Sequence, residues 1–440
     1  MQPAGGGLRA GCRAPRLDAQ ERVENLRHLR GFSTQVAYNV CVYPRYLEDR
    51  IREALADTPV VFLAGARQVG KTTLVRQLGH GHYVTLDDPL AAASAQADPM
   101  GFLLAQPTPL VLDEVQRAPA LLRALKRLVD QDRRPGRFLL TSSANVLTLP
   151  VASGELVGRM EVLTLWPLSQ GEVEGRREGF LDLLFSYRFP THARVGPVPL
   201  EPLVRRGGFP EAVARDGRRR QAWFHAYLRA LLERDLRDLA RVHRLLEVPK
   251  VLGLLAVRVG GPLNQSEVAR GAGLPLSTLR DYLALLEALF LVVRIPPWTP
   301  GLEGRLVKAP KLYLVDSGLA ASLLGSGLHP GGLGPLLENF VALEILKALG
   351  WSGVTPGVFH FRTHGGQEVD LVLEWEGQVV GLEVKASRTL GLRDFAGLKA
   401  LRSLAKERFL RGVVLYGGEE VVAVEPGLYA VPVPALWRLS

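Results

Sequence analysis

An α/β fold with a central parallel sheet is predicted by three features of the 440-residue chain. The run Pro59-Val60-Val61-Phe62-Leu63-Ala64 is continuously apolar, as expected of a strand buried on both faces. It leads into Gly65-Ala66-Arg67-Gln68-Val69-Gly70-Lys71-Thr72, the G-x-x-x-x-G-K-T pattern, and then into a helical run from Thr73 to Leu78 that ends at Gly79. About forty residues on, a second apolar strand, Leu110-Val111-Leu112, ends in the carboxylate pair Asp113-Glu114. A third strand, Arg137 to Thr141, ends in Ser142, Ser143 and Asn145. Met160 to Leu165 follows as a further strand, entered through Gly158-Arg159.

Strand, glycine loop and helix in that order form a phosphate-binding device. Gly65 and Gly70 let backbone N–H groups wrap a β-phosphate, and the helix N-terminus adds its dipole. Lys71 would reach the β- and γ-phosphates, the Thr72 hydroxyl would hold Mg²⁺, and Thr73 shares that first turn. Asp113 would hold the same Mg²⁺ through water, and Glu114 would act as general base on the attacking water. Ser142, Ser143 or Asn145 would sense the γ-phosphate. The bland alternative, a glycine turn with a solvated lysine, is disfavoured by the flanking strand and helix. A nucleoside triphosphate is the expected ligand.

Composition frames the rest. The chain is 47% hydrophobic and 22% charged, an ordinary globular balance. Its longest apolar stretch, Leu283 to Val293, is broken by Glu287, so no membrane span is expected. The only cysteines, Cys12 and Cys41, exclude a disulfide framework or a cysteine zinc site and fit a reducing cytoplasm. Residues 1–42, Gly/Ala/Pro/Arg-rich at the start and without an apolar face, are read as a flexible extension. Asp18, Glu21 and Glu24 disfavour a transit peptide. Residues 176–260 hold 17 Lys/Arg against 9 Asp/Glu, most of the chain's net +10, with Arg205-Arg206 and Arg218-Arg219-Arg220 the densest points. That concentration is expected to meet nucleic-acid phosphate. Coding bias explains arginine over lysine but not its clustering.

Residues 246–312 read as a winged-helix module. A short helix begins at Leu263 with Asn264 or Ser266 as cap, and Gly271-Ala272-Gly273 breaks it. A second helix, Ser277 to Leu289, carries Arg280 and Tyr282 on its polar side, and a strand, Phe290 to Arg294, follows. Such modules read DNA or pack between domains, and both uses stay open. In residues 313–440, Asp370 lies on a strand, Val369 to Glu374, and Glu376-Gly377 makes a turn. Gln378 to Lys385 returns with Glu383 and Lys385 on one face, and Glu338 lies on the preceding helix, Leu336 to Leu349. This is the arrangement of a PD-(D/E)XK nuclease-like α/β domain. Glu338, Asp370 and Glu383 would hold Mg²⁺ against a scissile phosphate and Lys385 would steady the water or oxyanion. A surface ion pair is the alternative.

The order of elements over 43–171 is the plan of the AAA+ core. The chain resembles the bacterial and archaeal family that joins an AAA+ ATPase to a C-terminal domain of uncharacterised type, the AAA-14 / DUF4143 architecture. The matching residues are Tyr43-Pro44-Arg45, Gly65 to Thr72, Thr85 to Asp88, Asp113 to Gln116, Gly158-Arg159 and Gly207 to Glu211. Further along come Lys308 to Tyr313, Asp316 to Gly318, Glu368 to Asp370 and Glu383 to Ser387. In one place it departs: Ser142 stands where the family has glycine. The resemblance implies ATP and Mg²⁺ as cofactors, and the basic helical stretch over 172–245, where apolar spacing predicts one long helix from Ala222 to Leu245, fits its lid. It also implies that Arg159 acts as an arginine finger toward a neighbouring subunit, hence a homo-oligomer; a structural arginine paired with Glu161 is the alternative. The function expected is Mg²⁺-dependent ATP hydrolysis coupled to the handling of nucleic acid, DNA first, with cleavage by the C-terminal domain left open. The rival is a nucleotide-controlled switch with an inactive nuclease-like domain.

Overall fold

The apolar run after Pro59 forms β1 (Val60–Ala64), buried along its whole length. Beside it lie β2 (His82–Thr85), β3 (Leu110–Asp113), β4 (Phe138–Ser142) and β5 (Met160–Thr164), all parallel, in the order β2-β3-β4-β1-β5. The computed structural model describes residues 43–145, 158–239, 247–301, 309–325, 329–363 and 365–439. The extension read over 1–42 with its two cysteines, Lys308 and the end of the lid helix lie outside the described residues. Helices α1 (Leu47–Asp57), α2 (Lys71–Leu78) and α3 (Leu121–Gln131) cover the sheet. In α3, Leu121, Leu125 and Leu128 recur at helical spacing on the buried side. Because the strands are parallel and in register, with Ala64 beside Ser142 and Leu112 beside Leu140, the ends of β1, β3 and β4 share one edge.

Helix α4 (Gln170–Glu174) starts with a capping box between Ser169 and Glu172. The long helix expected in a lid is α5 (Gly217–Leu239), which begins five residues before the expected Ala222, so Arg218 to Arg220 occupy its first turn. Then come α6 (Val248–Ala256), α7 (Gln265–Ala272) and α8 (Leu276–Ala288). Asn264, not Ser266, caps α7, its Oδ1 accepting from the Glu267 N–H at 3.2 Å. Two short antiparallel strands follow, β7 (Val292–Ile295) and β8 (Lys311–Leu314). The strand expected from Phe290 starts two residues later, because Phe290 takes φ 56° and closes α8. Its N–H bonds the Glu287 carbonyl and that of Leu291 bonds Leu286, satisfying two orphan carbonyls of the helix.

The C-terminal sheet is mixed, in the order β6-β13-β14-β12-β11-β10-β9. Its strands are β6 (His192–Arg194), β9 (Gly357–Arg362), β10 (Glu368–Trp375), β11 (Gln378–Lys385), β12 (Phe409–Tyr416), β13 (Glu420–Glu425) and β14 (Leu428–Pro432). The two-residue turn between β10 and β11 has φ 47° at Glu376 and 79° at Gly377, the twist such hairpins favour. Strand β6 comes from the segment read as a lid, which therefore also supplies a sheet edge. Helices α9 (Ser317–Leu323) and α10 (Gly334–Ala348) pack between the helical segment and this sheet, and α11 (Ala396–Ala405) covers its other face. One buried cluster runs from Leu47 in α1 to Trp437, so residues 44–440 form a single compact unit. Among the described residues no helix is long and apolar enough to cross a membrane.

Candidate functional site

Local chain geometry builds the first site. Gly65 has φ 156°, and a Cβ there would lie 2.2 Å from the Leu165 carbonyl oxygen, so only glycine lets the loop pass β5 this closely. Gly70 at φ 100° turns the chain into α2, whose first N–H groups have no carbonyl within the helix to bond. Such free N–H groups at a helix start favour an anion. The Lys71 ammonium, 4% exposed, donates to the carbonyls of Gly65 (2.9 Å) and Ala66 (3.0 Å) and to Ser143 Oγ (3.0 Å). Thr72 Oγ1 donates to Asp113 Oδ2 at 2.9 Å. This hydroxyl and carboxylate are hard oxygen donors of the type Mg²⁺ requires, so the residues fit that ion.

Asp113 is held by partners outside the motifs, and Glu114 by residues within them. Tyr83 donates to Asp113 Oδ2 at 2.6 Å, and Thr141 donates to the other oxygen. Burial, then the bond to Asp113, pushes the Tyr83 phenol up to about 12, so it stays a donor. Glu114 sits in the left-handed region at φ 62°, its N–H bonded to Thr141 Oγ1 at 3.0 Å. Ser143 Oγ donates to Glu114 Oε1 at 2.8 Å, and Gln116 donates to Oε2. Of the three sensor candidates, Ser143 touches both Lys71 and Glu114. Ser142 is turned to Gln116 (2.9 Å) and the Ala144 carbonyl, and Asn145 joins the Ala288 carbonyl through its backbone N–H at 2.6 Å. The Thr73 side chain is exposed, so its part in the loop falls to its backbone.

Arg159 precedes β5, at the sheet edge opposite the phosphate loop of its own chain. Its Nε donates to Asp130 at 2.6 Å, whereas Glu161, its expected structural partner, pairs with Arg50 at 3.2 Å. In the arginine cluster, Arg218 and Arg219 are exposed. Arg220 turns inward to the carbonyls of Ala212 and Arg215, which corrects its expected role as a phosphate contact.

The C-terminal carboxylates converge on Lys311, which lies in the matching run Lys308 to Tyr313. The Lys311 ammonium on β8, 1% exposed, lies 2.8 Å from Glu338 Oε1 on α10 and 2.7 Å from Asp370 Oδ1 on β10. Tyr313 donates to the same Glu338 oxygen at 2.7 Å, and the Val384 N–H donates to Asp370 Oδ2 at 2.9 Å. Lys385 donates to Glu383 Oε1 at 2.6 Å. Burial and then the Asp370 charge push Glu338 and Glu383 up to about 8 each, against the pull of their lysines. Lys311 thus stands among the carboxylates expected as a metal set, Glu338, Asp370 and Glu383. An ammonium stands on two of the three carboxylates, and a divalent cation would have to displace it against like-charge repulsion. Among the described residues no three His, Cys, Asp or Glu side chains come together as metal ligands.

Comparison with known proteins agrees with this layout. Residues 57–174 match an AAA domain (AAA_14), 199–329 a domain of unknown function (DUF8612) and 333–436 another (DUF4143). An uncharacterized protein of Mycobacterium tuberculosis, Rv2008c, is 32% identical over 394 residues, covering 87% of this chain and 82% of that protein. An uncharacterized protein of Haemophilus influenzae is 26% identical over 211 residues, or 47% of this chain and 50% of that protein. The solved Walker-type ATPase PABY2304 of Pyrococcus abyssi covers 64% of this chain and 96% of its own at 16% identity and a TM-score of 0.40, too remote to bear on function. The chain belongs to the family that joins an AAA-type ATPase domain, AAA_14, to a C-terminal DUF4143 domain.

Proposed function

We propose that the chain is a cytoplasmic, Mg²⁺-dependent ATPase whose turnover is coupled to nucleic-acid binding. The observation that carries this is the contact between Lys71, Ser143 and Glu114 beside the Thr72–Asp113 pair. Phosphate oxygens would replace the Gly65 and Ala66 carbonyls on the Lys71 ammonium and take the N–H groups at the start of α2. Mg²⁺ held through Thr72 and Asp113 would neutralise charge developing on the β- and γ-phosphates. Glu114, fixed by its left-handed backbone and by Ser143, would accept the proton of the attacking water. Because Ser143 touches both phosphate-facing lysine and base, it would report the γ-phosphate to Glu114.

Nucleic acid would meet the exposed Arg218 and Arg219 and the segment of α6, α7, α8 and β7–β8, which we read as a winged helix. With Lys311 in the carboxylate cluster, the C-terminal domain is proposed as a nuclease-like fold serving docking rather than cleavage. The second reading, a slow nucleotide-controlled switch, is favoured by the hydrogen bonds from Ser143 and Gln116 that engage both Glu114 oxygens within the chain. Steady-state ATP turnover with and without single- and double-stranded DNA separates them. The coupled ATPase predicts a rise with DNA, and Arg218→Gln/Arg219→Gln should reduce the log-salt slope of DNA binding by roughly 1 for each lost phosphate contact. No stimulation and an unchanged slope would leave the switch.

Arg159 is proposed to act in trans. Arg159→Ala should hydrolyse poorly alone but recover when mixed with Lys71→Ala subunits, one supplying the pocket and the other the guanidinium. A monomeric ATP-bound protein in light scattering, or no recovery, would leave Arg159 a structural role beside Asp130.

A further inference from the structure

Arg45 lies just before α1, about twenty residues ahead of the glycine loop, yet it is built into that loop. Its side chain is 8% exposed and each nitrogen has a separate task. Nη1 donates to the Val69 carbonyl at 2.6 Å, Nη2 to the Trp166 carbonyl beyond β5 at 2.7 Å, and Nε to Glu172 Oε1 at 3.1 Å. Glu172, whose side chain is 1% exposed, also accepts from the Tyr46 and Ser169 N–H groups. The guanidinium is thus fixed to the body of the protein on two sides and grips the loop with the third.

The peptide it grips is the one that matters for an anion. A trans peptide is planar, so the Val69 C=O and the Gly70 N–H point in opposite directions. Holding the carbonyl against Arg45 aims the Gly70 N–H to the other side, at the turn into α2 where backbone donors collect. Gly70 at φ 100° has a wide choice of orientations, and without a tether this peptide can rotate. We propose that Arg45 is a positioning residue for nucleotide binding: it fixes the Val69–Gly70 peptide so that the loop is preorganised for phosphate. This deepens the ATPase reading and rests on it. The chemistry needs an arginine, because a lysine offers one point charge where three donors in a fixed fork are used.

The competing account is that Arg45 only neutralises the buried Glu172. Three variants of the full chain separate the two by melting temperature and by equilibrium titration with ATP and Mg²⁺. Arg45→Gln should lower both stability and affinity. Arg45→Gln/Glu172→Gln removes the buried charge and should recover most of the stability while ATP still binds about tenfold or more weakly, the effect of one misdirected donor to a charged group. Arg45→Lys keeps the charge and should likewise fold well and bind weakly. If the double variant or Arg45→Lys binds ATP as wild type does, Arg45 is a charge partner and the proposal is overturned. If wild type itself binds no ATP, the nucleotide reading has failed with it, a different outcome from the first.

Discussion

Glu114→Gln is expected to keep ATP binding and lower hydrolysis by about 10²- to 10⁴-fold, the usual contribution of a positioned base. The amide retains the shape of the side chain and can accept from Ser143, so the Lys71–Ser143 side of the site stays assembled. What it loses is a carboxylate able to take a proton. Phosphate release measured beside nucleotide affinity separates these effects. Turnover at the wild-type rate in Glu114→Gln would remove Glu114 from the chemistry and turn attention to Asp113, whose two oxygens are engaged by Thr72, Tyr83 and Thr141.

Lys311→Met should have the largest effect on folding. It leaves Glu338 and Asp370 buried beside each other without a cation, which costs about 3–5 kcal/mol when one member of a buried ion cluster is removed. Adding Asp370→Asn should recover part of that loss, because the carboxylate left without its cation is then removed. In a Lys71→Ala background, Mg²⁺ or Mn²⁺ should not raise the melting temperature of the otherwise wild-type chain. A metal-induced rise that Asp370→Ala abolishes would instead restore the nuclease-type site. The full chain is needed, since a fragment starting at Tyr313 lacks Lys311 and strand β6.

The same cluster sets a pH dependence. Glu338 and Glu383 titrate near 8 in the folded chain against 4.5 for an ordinary glutamate, so the folded state holds protons that the unfolded state has released. Their contribution to stability is full below about 4.5 and is lost as pH rises toward 8. Glu383→Gln, which cannot ionise, should flatten the decline between pH 5 and 8 in denaturant titrations.

The nucleotide site was legible because its parts are local: a strand, its glycine loop and the helix that follows are contiguous, and Asp113-Glu114 ends an unmistakable apolar run. Its supporting residues were not. Tyr83 and Thr141 reach Asp113 only because β2 and β4 flank β3 in the parallel order. Arg45 appeared in a matching motif with nothing in its neighbours to show that it would bond Val69 and Trp166. The C-terminal carboxylates were found, but their spacing says nothing of Lys311, which precedes Glu338 by 27 residues and Asp370 by 59. Within Arg218-Arg219-Arg220 the residue types are identical. Only the start of α5 at Gly217 decides that Arg220 faces the Ala212 and Arg215 carbonyls while its neighbours face solvent.

Catalysis by this chain requires ATP in the loop between Gly65 and Thr72. Equilibrium titration of the full chain with ATP and Mg²⁺ decides it, with Lys71→Ala in parallel. Wild type should bind one ATP per chain saturably, within the micromolar to millimolar range where enzymes meet their substrates. Lys71→Ala should lose that binding, because it removes the ammonium that bridges the loop to Ser143. Equal binding by the two proteins, or none by wild type, would contradict the assignment.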